Sequence, residues 1–137
     1  MSEEYEIKFG MKSQGFFELS PFYFCTYSIG GRKWRTLVHY WTASFFKNDD
    51  MKEIIRGLDT PERALLVGKR YGLKDFNQVD SKVILTGIQE RFNQCDGIRG
   101  VLLSTGLSTL VYTVPGFLSE NNRYGKILMK VRDIYGS

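Results

Sequence analysis

The chain has 137 residues, of which 42% are hydrophobic, 25% are charged and 15% are aromatic. This length and composition are those of one globular domain, and they exclude a disordered, collagen-like or coiled-coil protein. The formal net charge of +4 is spread along the chain without any run of five or six like charges, which disfavours nucleic acid as a partner.

The scarce residue types limit the chemistry further. Cys25 and Cys95 are too few for a disulfide framework or a four-ligand zinc site, so we expect reduced cysteines that behave as small buried hydrophobes. The single histidine, His39, excludes a metal hydrolase built on several imidazoles. We therefore expect no metal and no cofactor. No apolar stretch approaches the roughly 18 residues of a membrane span, so we expect a cytoplasmic protein that does not meet the membrane.

The first third of the chain predicts strands followed by a helix. Residues 5–9 alternate between apolar and polar side chains, as in a half-buried strand. Residues 22–29 are aromatic and β-branched, and Gly30-Gly31 follows before a returning segment at 33–35, which predicts a hairpin. From Thr36 the apolar spacing changes to four residues, which predicts a helix of about eleven residues.

The rest of the chain predicts further helices and one more strand. Thr60 and Pro61 are typical of a helix start, as a cap and a first-turn proline. The predicted helices span residues 51–56, 61–71, 77–94, 98–102 and 122–135, and the predicted strand spans 110–114. Gly87 inside the fourth helix of the chain is expected to weaken it by about 1 kcal/mol relative to alanine. Strands and helices do not alternate, so we predict an α+β fold with several helices around a small antiparallel sheet.

No phosphate loop, dinucleotide-binding fingerprint or nucleophile elbow is present. The order of particular residues is more informative. Residues 17–23 read FELSPFY, and residues 31–41 read GRKWRTLVHYW. Residues 99–106 read RGVLLSTG, and residues 122–132 read NRYGKILMKVR.

These four segments, in this order, resemble the motifs of the YbiA-like, or NADAR, family. That family typically shows LSNFY, then a tryptophan or tyrosine followed by PTxEHYYQAxK, then LRxxLLxTG and NxLGKxLMxVR. The resemblance covers essentially the whole chain and implies one YbiA-like domain over residues 1–137. It also implies N-glycosidase chemistry on ADP-ribosylated or ribosyl-phosphate substrates.

In that chemistry the bond between the sugar C1′ and the base nitrogen lengthens toward a ribosyl cation. A carboxylate facing C1′ stabilises the cation and takes a proton from the attacking water. The family motif places this glutamate immediately before the histidine of EHY, a position that Val38 occupies here. Valine has neither charge nor lone pair, so the resemblance leaves the catalytic role unfilled.

Other positions of the family pattern differ as well. Pro21 replaces the asparagine of LSN, and Thr42 and Phe45 replace the glutamine and lysine of the first helix. The loop before the last helix, residues 115–121, is shorter than the family's DxxWG loop. We therefore expect no catalytic residue, with Glu18 as the one candidate for a substitute carboxylate.

Five matched residues are candidates for ligand binding: Trp34, His39, Tyr40, Asn122 and Lys126. Trp34 is suited to stack on a base or to pack in the hairpin. His39 is suited to a ligand contact or to the core, and Asn122 to a ligand contact or to a helix cap. Lys126 is suited to a phosphate contact or to a solvated helix face.

The sequence predicts a YbiA-like protein whose glycosidase site has decayed and which acts as a binding or interaction module, such as a phage accessory protein. Its partner would be an unknown protein or a nucleotide-like ligand, and we expect a monomer. The alternative is an active N-glycosidase whose carboxylate comes from elsewhere, with Glu18 the first choice.

Overall fold

The computed structural model describes residues 5–136, which form six α-helices and four β-strands. The strands are β1 (Glu6–Phe9), β2 (Tyr27–Ile29), β3 (Arg32–Trp34) and β4 (Thr109–Tyr112). The helices are α1 (Leu37–Ala43), α2 (Asp49–Arg56), α3 (Pro61–Arg70), α4 (Ser81–Gln94), α5 (Asp96–Ser104) and α6 (Arg123–Gly136). They fall into two compact units, one from Pro21 to Cys95 and one from the segments on either side of it.

The flanking unit is built on a parallel strand pair. β1 pairs with β4, with Glu6 opposite Thr109 and Phe9 opposite Tyr112. Helix α6 packs on β4, and the rings of Phe9, Tyr112 and Tyr124 lie 5.0 to 6.0 Å apart at the centre of this unit. The Tyr124 hydroxyl donates a hydrogen bond to the Leu19 carbonyl at 2.6 Å, which ties α6 to a short 3-10 turn at Phe17–Leu19.

The inserted unit is a hairpin and four helices. Gly30 and Gly31 have φ values of 60° and 79°, so they form the tight turn between antiparallel strands β2 and β3. Helix α1 contacts α2, α3 and α4, and its Leu37 and Trp41 side chains are fully buried. The predicted α+β fold, with its antiparallel hairpin beside the helix from Leu37, is confirmed, and the parallel pair β1–β4 is an addition to it.

Several element boundaries differ from the prediction for local reasons. The β2 strand begins at Tyr27, so the aromatic stretch before it is not strand. Helix α1 ends at Ala43, seven residues long, with Thr36 as its cap. The predicted helix from residue 77 begins only at Ser81, because a 3-10 turn at Phe76–Gln78 precedes it and Asp80 caps the helix proper.

The cysteines correct the sequence prediction. Cys25 and Cys95 form a disulfide, with Cα atoms 6.7 Å apart and 70 residues apart in sequence. The expectation of two reduced cysteines was therefore wrong. A pair of thiols so distant in sequence carries no local pattern that predicts its pairing.

Gly87 also has a different role from the one its propensity predicts. A Cβ at this position would lie 2.9 Å from Trp41 Nε1 and 3.1 Å from Leu37 Cδ2, both in α1. The glycine therefore allows α4 and α1 to approach closely, and it is a packing residue rather than a weak point.

Among residues 5–136, no helix has both the length and the apolar character to cross a membrane. The same residues contain no cluster of three or more His, Cys, Asp or Glu side chains arranged to hold a metal ion.

Candidate functional site

The position that matches the family glutamate lies in the core. Val38 is fully buried on α1, and its backbone N–H donates to the Pro21 carbonyl at 3.3 Å. Thr42 follows on the same side of α1, and Phe45 lies in the turn just after the helix ends. Thr42 is fully buried, its hydroxyl oxygen has no hydrogen-bond partner among residues 5–136, and the Phe45 ring lies 5.7 Å from that of Phe76. These three positions therefore carry no carboxylate. Val38 and Thr42 are closed in by the fold, whereas Phe45 is half-buried and lines a separate groove of about 350 Å³ with residues 71–75.

A groove of about 460 Å³ lies on another side of α1, at residues Tyr40, Ala43 and Ser44. The hairpin contributes Ile29, Gly30, Arg32 and Trp34 to its lining, and α2 and α4 contribute Lys52 and Val83. We call it the hairpin groove. Its volume lies in the range of small-molecule sites.

The aromatic part of the hairpin groove is a pair of rings. Trp34 and Tyr40 meet edge to face, with centroids 5.2 Å apart. Trp34 is 95% buried, since 5% of its surface is exposed, and its indole Nε1 has no hydrogen-bond partner among the described residues. Burial raises the pKa of Tyr40, so this phenol stays neutral and available as a hydrogen-bond donor.

The charged part of the hairpin groove is cationic. Arg32 pairs with Glu53 at 3.4 Å, while Lys52 has no ion pair within residues 5–136. Among residues 5–136, no acidic side chain lines the groove. An anion with a flat ring would thus meet two cations and an aromatic edge.

His39 does not line this groove and uses its ring within the fold. It is fully buried, and its Nε2–H donates to the Leu58 carbonyl at 2.9 Å. Its Nδ1 accepts from the Thr36 hydroxyl at 2.7 Å, and that hydroxyl accepts in turn from the His39 backbone N–H. Burial lowers the pKa of His39 below its usual 6.5, so the ring is neutral. No ring nitrogen is left for a ligand.

Asn122 and Lys126 belong to the flanking unit. The Asn122 side chain does not cap α6. It accepts from the Tyr112 backbone N–H at 2.9 Å and donates to the Leu110 carbonyl at 2.7 Å, so it completes the open edge of β4 as a neighbouring strand would. Lys126 is exposed on α6, and Glu18 is half-buried on the 3-10 turn after Phe16.

Trp34 and Tyr40 thus line the same groove. His39 and Asn122 instead make hydrogen bonds that hold elements of the fold together. Sequence reasoning did not find Lys52. It lies on α2, and only the packing of α2 against α1 brings it to the groove. No local pattern around it marks this position.

Comparison with known proteins identifies the family. N-glycosidase YbiA of Escherichia coli is 26% identical over 138 aligned positions, which cover 93% of this chain and 86% of that protein. An N-glycosidase of Nostoc punctiforme is 30% identical over 114 positions, which cover 73% of each chain. The chain belongs to the YbiA-like N-glycosidase family.

The fold agrees with this YbiA-like assignment. The solution NMR structure of Escherichia coli YbiA superimposes with a TM-score of 0.84 at 24% identity, over 99% of this chain and 88% of that one. No protein-family model matches the chain. The match with YbiA includes both the inserted unit and the flanking unit, so this YbiA-like chain retains the family fold across its length.

Proposed function

We propose that this YbiA-like chain is a non-catalytic binding protein and that the hairpin groove takes its ligand. The observation that carries the proposal is the burial of Val38 at the position matching the family glutamate. Loss of one general acid–base group typically slows a reaction by about 10²- to 10⁴-fold, and Thr42 and Phe45 replace two further polar groups of the family motif.

The ligand class follows from the groove that remains. Arg32 and Lys52 favour a phosphate, and the edge of the Trp34–Tyr40 pair favours a flat ring. A nucleotide-like ligand combines both. The relatives are named N-glycosidases, and the resemblance connects that activity with ADP-ribosylated or ribosyl-phosphate compounds.

The catalytic half of the proposal is tested by base release. The wild-type chain, a Val38→Glu variant and Escherichia coli YbiA are incubated with ADP-ribosyl-guanine and with a ribosylamine phosphate. We expect release by YbiA and none by the wild type or the variant, since a glutamate at this buried position lacks the positioning groups. Turnover by the wild type that Glu18→Gln abolishes would establish the active N-glycosidase instead.

The binding half is tested by the two indole N–H signals of Trp34 and Trp41 in NMR titrations. We expect ADP-ribose to shift the Trp34 signal while the signal of Trp41, which does not line the groove, stays in place. The dissociation constant should be millimolar or weaker, which corresponds to about −4 kcal/mol. Lys52→Glu should weaken the effect, and Lys69→Glu, an exposed lysine of α3 outside the groove, should not. Absence of any shift of the Trp34 signal at tens of millimolar ADP-ribose would contradict the proposal that the hairpin groove takes a nucleotide-like ligand.

A further inference from the structure

A second groove, of about 400 Å³, lies in the flanking unit between the end of α5 and the last turns of α6. We call it the α5–α6 groove. It is lined by Leu103, Gly106, Leu107, Arg132, Asp133 and Gly136. It shares no residue with the hairpin groove, and nothing in the proposed function depends on it.

The polar centre of the α5–α6 groove is a buried arginine. Arg132 is only 8% exposed, and its Nη1 donates to the Thr105 hydroxyl at 2.9 Å and to the Ser108 carbonyl at 2.7 Å. Its Nε is buried without a hydrogen-bond partner among residues 5–136. Within the same residues, no carboxylate lies within ion-pair distance of the guanidinium.

This arginine is only half satisfied. A guanidinium presents five N–H donors, and here two neutral oxygens on Nη1 are its acceptors. Burying a cation without a counter-ion is unfavourable, and a guanidinium N–H makes its strongest hydrogen bonds to a carboxylate. Nε is closed off from solvent, so Nη2, which has no hydrogen-bond partner within residues 5–136 and keeps accessible surface, is the part of Arg132 that can receive a carboxylate from the groove.

The rest of the α5–α6 groove restricts which carboxylate fits. Leu103 is 40% exposed and Leu107 is 71% exposed, so both leave an apolar surface beside the arginine in this groove. Asp133 is exposed and has no ion pair within residues 5–136, so it would repel a simple anion and attract a cationic group.

We propose that the α5–α6 groove binds an apolar α-amino acid. The carboxylate of the ligand lies against Arg132, its ammonium group faces Asp133, and its aliphatic side chain packs on Leu103 and Leu107. A zwitterion with an apolar side chain matches all three kinds of lining residue, and the groove has the volume for a molecule of this size.

The test is an NMR titration of the whole chain with three compounds: L-leucine, leucinamide and 4-methylpentanoate. We expect leucine to shift the backbone signals of residues 103–107 and 132–136. Leucinamide, which lacks the carboxylate, should bind at least about 10-fold more weakly, because charge-assisted hydrogen bonds to Arg132 are lost. 4-Methylpentanoate, which lacks the ammonium group, should bind about 3- to 10-fold more weakly than leucine.

Asp133→Asn gives the decisive comparison, because the residue is exposed and its replacement should not affect folding. This variant should weaken leucine binding and strengthen 4-methylpentanoate binding, while Glu120→Gln, an exposed acid outside the groove, should change neither. Arg132→Gln, checked for folding by its spectrum, should abolish binding of both. Absence of leucine binding at tens of millimolar, equal binding of all three compounds, or tighter binding of 4-methylpentanoate than of leucine would each overturn the proposal.

Discussion

At the scale of single residues, side chains that look suited to a ligand are used to hold the fold together. His39 joins the start of α1 to the Leu58 carbonyl, and Asn122 closes the edge of β4. Both side chains are fixed by two or more hydrogen bonds, and neither role can be predicted from the spacing of residues in the sequence. A matched family motif can therefore survive because it builds the domain.

The buried histidine makes the stability of the protein depend on pH. Because burial lowers the pKa of His39, the unfolded chain binds the proton more readily than the folded one. The stability that His39 contributes is thus complete above pH 6.5 and is lost as the pH falls below 6.5, by at most about 1.4 kcal/mol per pH unit.

We expect urea unfolding of the wild type to show this fall between pH 7.5 and 5.5, and His39→Gln to lack most of it. The chain has one histidine, so the comparison isolates this group. An equal slope in both proteins would show that the imidazole does not titrate with unfolding.

We expect Asn122 to contribute to the free energy of unfolding through its side-chain amide and through its backbone conformation. Its φ of 53° is one that asparagine tolerates better than most residues. Asn122→Ala removes both hydrogen bonds to β4 and should lower the free energy of unfolding by about 2 to 4 kcal/mol. Asn122→Asp keeps the acceptor for Tyr112 and should cost less. If the two variants unfold alike in urea, the bond accepted from Tyr112 contributes nothing.

At the scale of secondary-structure elements, close approach between helices decides which glycines matter. Gly87 lies against Trp41 and Leu37, so Gly87→Ala should destabilise the protein by about 1 to 3 kcal/mol despite the better helix propensity of alanine. Gly100 lies in α5 with open space around it, so Gly100→Ala is the matched control and should stabilise by about 0.5 to 1 kcal/mol. Thermal unfolding of both variants tests this, and a stabilising Gly87→Ala would refute the packing role.

The elements themselves were largely predictable where a local rule applies. Gly30 and Gly31 predict the hairpin because few residues other than glycine accept positive φ, and Thr60 with Pro61 marks the start of α3. The parallel pairing of β1 with β4 was not predictable, since it joins segments about a hundred residues apart. Periodicity identifies a strand but not its partner.

The site was less predictable than the elements. Trp34 and Tyr40 could be named because they fall in matched motifs, and they do share a groove. Lys52 and Leu107 lie outside the matched motifs, and only the packing of neighbouring helices brings them to their grooves.

At the scale of the whole molecule, the disulfide is a large single contribution to stability. Cys25 and Cys95 close a loop whose ends are 70 residues apart, which in the chain-entropy account is worth about 4 kcal/mol. Reduction of the disulfide should therefore lower the urea concentration at the unfolding midpoint. The double variant Cys25→Ser with Cys95→Ser should lower it in the same way. Urea unfolding with and without reductant measures this, and the double variant, which should not respond to reductant, is the control. Identical midpoints for the oxidised and reduced wild type would contradict a stabilising role of the disulfide.

The parallel pair β1–β4 has a consequence for how the chain acquires its structure during synthesis. A ribosome releases β1 roughly a hundred residues before β4, so β1 has no strand to pair with until β4 has been synthesised. The segment from Pro21 to Cys95 is continuous in sequence and has its own buried residues, so it can form while the rest is still being made. We expect stalled nascent chains in which Cys95 has left the ribosome and β4 has not to protect the inserted unit from proteolysis and to leave β1 open to cleavage. The order of assembly would then run from the middle of the sequence outward.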